Sequence, residues 1–218
     1  MPIFWGYLLT YLYVFFLLFL STLLKNRFHV SGETTRKVVH IGCGFAWFIM
    51  SFFFRSTWHL IVPPLTFVFL NYLSYKKDTF SGMERADKSS LGTVYYALSM
   101  VVMASITAFL DERYLLPYGI ALLCLSLGDG LAPIFGRIRK GNRLIFRGKT
   151  LYGSLAVFLA SFLVILLMSL FYHAGYDIWE MLITSLLAAL LELLGRRGGD
   201  NLLIPFGVSG LLYLFILV

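Results

Sequence analysis

Two carboxylates stand in apolar surroundings in this 218-residue chain: Asp129, between Gly128 and Gly130, and Glu192, in "AALLELLGRRGG". A charge at the depth of Asp129 in a membrane costs about 2.5–3.5 kcal/mol even on lenient insertion scales, so such a residue is retained for a task. Its flanking glycines let another backbone or a ligand come close. Asp200 and Asn201, in "RRGGDN", carry the hard oxygens that Mg²⁺ takes. The same stretch also suits a helix end, with Gly198 and Gly199 in the turn and Asp200 or Asn201 as N-cap. Lys149 and Thr150, in "RGKT", precede another apolar run, where a glycine, a lysine and a threonine form an oxyanion cradle at a helix N-terminus. This is not a P-loop, because the GxxxxG spacing is missing and no strand is expected before it. Glu33, Arg36, Lys37 and His40 stand at i, i+3, i+4 and i+7, and share one face if their helix starts early. Carboxylates that hold a divalent cation, with lysines and arginines that neutralise phosphate oxygens, are the electrostatic machinery of phosphoryl or nucleotidyl transfer. The competing readings are structural. Asp129 pairs with a cation on a neighbouring helix, Glu192 pairs with Arg196 at i+4, and the cations near Lys149 set topology or touch anionic lipid. Asp129→Asn is expected to fold, because the amide lifts a desolvation penalty.

The elements that position these residues are membrane helices. The chain is 59% hydrophobic and 13% charged, against roughly 25% charged in a soluble domain, and its mean hydropathy is +0.82. Apolar runs of about 20 residues recur along it, the signature of spanning helices. The expected fold is all-α, a single polytopic transmembrane domain over residues 1–218, with eight helices near 3–24, 38–54, 57–75, 91–110, 115–135, 151–173, 178–194 and 202–218. Pro63-Pro64 should kink or break the third. Cys43 and Cys124 have no metal or disulfide spacing and read as small buried residues. The first run lacks a basic n-region and a cleavage site, so it is expected to remain as a helix.

The net charge of +7 does not point to nucleic acid, because the cations alternate from loop to loop. All 18 lysines and arginines except Arg55 and Arg113 fall in the odd-numbered loops. The loop between the fifth and sixth helices holds Arg137, Arg139, Lys140, Arg143, Arg147 and Lys149. By the positive-inside rule the odd loops are cytoplasmic and both termini lie outside. Every polar cluster named above then falls on the cytoplasmic side, where one site could gather them.

"ETTRKVVHIGCG" at Glu33–Gly44 resembles the Glu-x-x-Arg-Lys-x-x-His signature of the dolichol kinase, phytol kinase and CTP-dependent diacylglycerol kinase family. "LGTVYYAL" at Leu91–Leu98 is similar to its Gly-Thr-x-Tyr-Tyr stretch, and "GDGLAPIFGRIRKG" at Gly128–Gly141 to its Gly-Asp-x-x-Ala-x-x-x-Gly core. "GKTLYGSLAVF" resembles Lys-Thr-x-Glu-Gly-Ser-x-Ala, and "ELLGRRGGDNLLIP" the closing Glu…Asp-Asn…Pro. The order agrees over roughly residues 33–205. The resemblance implies transfer of the CTP γ-phosphate to a lipid hydroxyl with Mg²⁺, with CTP, a membrane lipid alcohol and the bilayer itself as partners. By motif position, Asp129, Asp200 and Asn201 would handle metal. Arg36, Lys37, Lys149, Thr150 and Ser154 would hold phosphates, Glu192 or Asp129 would accept the hydroxyl proton, and Glu33 and His40 would support them. The family usually has Glu where this chain has Tyr152; a phenol donates a hydrogen bond but supplies no anionic ligand near neutral pH. Nucleotidyl transfer of the CTP:phosphatidate cytidylyltransferase kind is the alternative within lipid enzymes. A transporter or scaffold with a decayed site is the alternative outside them.

Overall fold

A computed structural model describes residues 2–55, 57–77, 90–137, 144–146 and 148–218. Among these, the apolar runs become eight α-helices: α1 (Pro2–Phe28), α2 (Gly32–Phe53), α3 (Val62–Lys77), α4 (Gly92–Phe109), α5 (Leu115–Arg137), α6 (Leu151–Tyr172), α7 (Ile178–Leu194) and α8 (Asp200–Leu217). Five regions, those of α1, α4, α5, α6 and α8, are long and apolar enough to cross a membrane. The chain is a multi-pass helical membrane protein. The helices α3 and α7 have 16 and 17 residues, short of the roughly 20 that a full crossing takes.

Three local departures from the sequence reading have clear causes. The helix α2 starts at Gly32, not near 38, because Ser31 caps it by accepting a hydrogen bond from the Thr34 amide at 3.2 Å. Arg36 and Lys37 are therefore helical rather than loop residues. Pro63 and Pro64 do not kink a helix; they sit in the first turn of α3, where missing N–H groups cost nothing, after a separate 3₁₀ turn at Trp58–Leu60. A short strand does precede Lys149: β1 (Leu144–Phe146) pairs antiparallel with β2 (Lys149–Thr150), and Gly148 turns between them at φ +80°. Arg139, Lys140, Arg143 and Arg147 of the basic loop lie outside the described residues, as do Arg85 and Lys88.

The helix α5 is the axis of the bundle. Every residue from Pro117 to Ser126 is buried, as expected of a helix apolar all round. It packs against α2, α6 and α8 and touches α4 and α7. Asp129 stands where α2 and α6 press on α5 from two sides. A Cβ on Gly130 would come within 2.4 Å of Ile41 Cγ1, and one on Gly128 within 3.1 Å of Val157 Cγ1. It is helix packing, then, that exploits the small flanks of Asp129. Gly130→Ala is expected to cost about 1–3 kcal/mol by overpacking, read as a lower melting temperature in detergent. A melt matching the parent would mean that α2 yields freely.

The far end of the bundle is pinned by "DERY". Asp111 accepts from the Arg113 amide at 2.9 Å and ion-pairs with the Arg113 guanidinium at 2.7 Å, while Tyr114 Oη shares a hydrogen bond with Ser209 Oγ on α8. The Arg113 guanidinium, helped by the Tyr213 hydroxyl, holds the Asp111 carboxyl well below the usual range.

Candidate active site

The helix α2 brings Lys37 across to Asp129. The Lys37 ammonium lies 2.6 Å from Asp129 Oδ2 and 2.6 Å from the Asp129 backbone carbonyl. The second contact has a cause in the main chain. In a continuous helix residue 133 would donate its amide to that carbonyl, but residue 133 is proline, which has no N–H to give. The lysine takes the acceptor that the proline leaves. The pair is buried, with 10% and 12% of the two side chains exposed. His40 Nε2 approaches Asp129 Oδ2 at 3.2 Å without the alignment of a hydrogen bond. Both residues come from the Glu33-to-His40 face expected of an early-starting helix.

A second lysine serves a second pair of acids. Lys149, on β2, donates to Glu192 Oε1 of α7 and lies 3.8 Å from Asp200 Oδ2 at the start of α8. Arg196, the i+4 alternative for Glu192, is exposed. Thr150 Oγ1 accepts from the Gly153 amide and N-caps α6, so the "KT" pair anchors the helix as well as facing the cleft. Burial opposes charge on Lys149, but Glu192, then Asp200 and Asp129, more than offset it and raise the lysine above its ordinary value of 10.5. A raised lysine adds stability that is fully present below its unfolded pKa and is lost as pH rises through its own higher value. Thermal stability in detergent is therefore expected to hold through neutral pH and to lose this contribution only above about pH 10.5. The alkaline loss should be smaller in Lys149→Met; an identical loss would show that the pairing contributes nothing.

These groups share one open cleft of about 300 Å³, walled by Glu33, Arg36, Lys37, Asp129, Lys149, Thr150, Ser154, Glu192 and Asp200. His40, Asn201 and Tyr152 are not in its wall. Asn201 is buried behind Asp200 and donates to the Gly198 carbonyl at 3.1 Å, and neither it nor Asp200 is the N-cap of α8, a position held by Gly199. Tyr152 lies on α6, about one-third exposed. Arg137, a loop cation by sequence, is the last residue of α5, lines the cleft and pairs with Glu33 at 2.6 Å. Its spacing of eight residues from Asp129 on one helix was the available signal.

Three buried oxygens here have no hydrogen-bond partner among the described residues: Glu192 Oε2, Ser154 Oγ and Asn201 Oδ1. Buried polar atoms are rarely left so, and the first two belong to walls of the cleft. Among the described residues no three of His, Cys, Asp and Glu gather tightly enough to cage a metal ion. The donor set instead fits Mg²⁺, which is commonly held by one or two carboxylates and shared with substrate phosphates.

Such a cleft, with lysines interleaved among acids at one end of an apolar bundle, defines a class: a multi-pass membrane protein with a buried charged site. Comparison with known proteins narrows it. The chain is 31% identical over 194 residues to phytol kinase from Synechocystis, covering 86% of this chain and 82% of that protein. It is 31% identical over 174 residues to the probable phytol kinase 2, chloroplastic, of Glycine max, and 29% identical over 181 to the probable phytol kinase, chloroplastic, of Zea mays. It spans 54% and 56% of those two proteins and 72% of its own length in each match. The chain belongs to the phytol kinase family. No family model matches it, and no solved structure does.

Proposed function

We propose that this protein transfers the γ-phosphate of CTP to the hydroxyl of an isoprenoid alcohol, phytol first among them. The observation that carries the reading is Lys149 held against Glu192 and Asp200 in the same cleft as Lys37 and Asp129, in a chain of the phytol kinase family. The lysines have the charge and position to turn from carboxylates to phosphate oxygens, and Arg36 adds a third cation at the wall. Asp129 and Asp200 are the carboxylates for Mg²⁺, with Asn201 behind them; bound there, the ion would neutralise phosphate charge. Glu192 is the better general base of the two acids considered, because Asp129 is taken for the metal while buried Glu192 Oε2 has no partner among the described residues and is left to accept the alcohol proton. Neither nucleotidyl transfer nor a non-catalytic role is favoured by the relatives.

The test gives detergent-solubilised protein CTP labelled separately at the α and γ positions, with phytol, farnesol, a polyprenol such as dolichol, and diacylglycerol. Label from γ on phytol is expected. Transfer from α, or to no alcohol, would overturn the reading.

The site is proposed to face the cytoplasm with both termini outside, on the strength of the cation distribution. In a Cys43→Ser/Cys124→Ser background, Arg196→Cys should react with impermeant maleimide from the cytoplasmic side and Val218→Cys from the other. The reverse pattern inverts the topology.

A further inference from the structure

The charged cleft has two ends of different character. At its buried end Lys37 meets Asp129 and Lys149 meets Glu192. At its mouth a third pair stands in the open. Arg137 Nη2, at the end of α5, donates to Glu33 Oε2, in the first turn of α2, at 2.6 Å. The arginine side chain is 71% exposed and the glutamate 46%, and both residues wall the cleft. An ion pair so exposed adds little to stability. It is a poor staple for two helices, and its groups are cheaply lent to a ligand.

The α5 face between the two ends is uncharged. Asp129, Ala132, Pro133, Gly136 and Arg137 all line the cleft, and their spacing sets them along one stripe of the helix. Eight residues separate the acid from the arginine, about 12 Å along the axis. That span is of the order of the reach from terminal phosphate to base in an extended nucleoside triphosphate. A nucleotide with its phosphates at Lys37 and Lys149 therefore brings its base towards Glu33 and Arg137, over residues too small to bar it.

The pair presents a carboxylate acceptor beside a fork of guanidinium donors. Among the described residues it uses only Oε2 and Nη2 on itself, which leaves the other glutamate oxygen and the remaining guanidinium nitrogens for a ligand. The pairing edge of cytosine carries the matching order: an exocyclic amine, then a ring nitrogen and a carbonyl oxygen that both accept. A glutamate accepts from that amine, and a guanidinium serves two adjacent acceptors at once. Uracil has a carbonyl where cytosine has the amine, so two acceptors would face each other, a repulsive contact that selects against it. Adenine keeps the amine and one ring nitrogen but lacks the carbonyl.

We propose that Glu33 and Arg137 form the base-reading end of the cleft and select cytosine. Glu33 accepts from the exocyclic amine, and Arg137 donates to the ring nitrogen and the carbonyl. The assignment rests on the kinase reading above and explains which nucleotide serves it.

The first experiment measures binding of labelled CTP, UTP and ATP to the solubilised protein with Mg²⁺ and no alcohol. CTP should bind at least about tenfold tighter than UTP, the worth of one hydrogen bond to a charged group. In Glu33→Gln the amide can turn its NH₂ to the uracil carbonyl, so the CTP-to-UTP preference should fall about tenfold. Arg137→Lys keeps the charge and loses the fork, so CTP binding should weaken roughly tenfold while the melt stays at the parent's value. An unchanged preference in Glu33→Gln, full CTP binding in Arg137→Lys, or a lowered melt with all nucleotides weakened alike overturns the assignment. The second experiment follows γ-label from each nucleotide to phytol in the parent protein. Transfer from UTP as ready as from CTP overturns the base assignment and leaves phosphoryl transfer standing. Transfer from none of them overturns the kinase reading itself.

Discussion

Asp129→Asn is expected to abolish phosphoryl transfer, by at least about a thousandfold, as losses of charge at phosphoryl-transfer centres do. The amide keeps the shape of the side chain and removes its charge. On sequence grounds the variant should fold unharmed, since a buried carboxylate is expensive. The structure revises that expectation. Asp129 is the counter-charge of a buried lysine, and breaking such a pair from one side costs about 3–5 kcal/mol. Asn at 129 leaves Lys37 with the backbone carbonyl as acceptor but no anion. Melting in detergent should therefore fall in Asp129→Asn and recover in Asp129→Asn/Lys37→Met, while neither transfers label. Near-normal transfer by a folded Asp129→Asn protein would remove Asp129 from the chemistry.

Lys149→Ala is expected to weaken CTP binding by about tenfold to somewhat over a hundredfold, the worth of a charge-assisted contact of roughly 1.5–3 kcal/mol. The loss should persist at high salt. Screening acts on exposed charges, whereas Lys149 is about one-quarter exposed and its partner Glu192 almost wholly buried. The variant also strands two acids, so Lys149→Ala/Glu192→Gln is the control: it should restore the melt without restoring affinity. Arg139→Ala and Arg143→Ala, in the same basic loop, should change affinity little. If all three single variants bind CTP alike, the loop is a topological anchor and Lys149 holds no phosphate.

Much of the fold was legible because the chain is written in apolar runs broken by charge. Residues 178–194 form α7 as the run suggests, and residues 115–135 fall within α5. The members of the site were legible too, since Asp129, Lys149 and Glu192 are costly where they stand. Their pairing was not. That Lys37 serves Asp129 while Lys149 serves Glu192 follows from α2 lying beside α5, and β2 beside α7 and α8, and no local pattern states which helices are neighbours. The start of α2 was legible in principle from Ser31, a good cap, but the cations at 36 and 37 suggested a loop. The β1–β2 ribbon is too short for alternation to show.

Pro133 gives Lys37 a resting place that does not depend on the side chain at 129, because a carbonyl belongs to every residue. The lysine is thereby moored by the main chain as well as by charge, and position 133 becomes a remote control on residue 37. Pro133→Ala would return the amide that closes the helix, and the ammonium would have to compete with it for one oxygen. The lysine would then be easier to detach from α5, loosening the register of α2 against it although no charge has been altered.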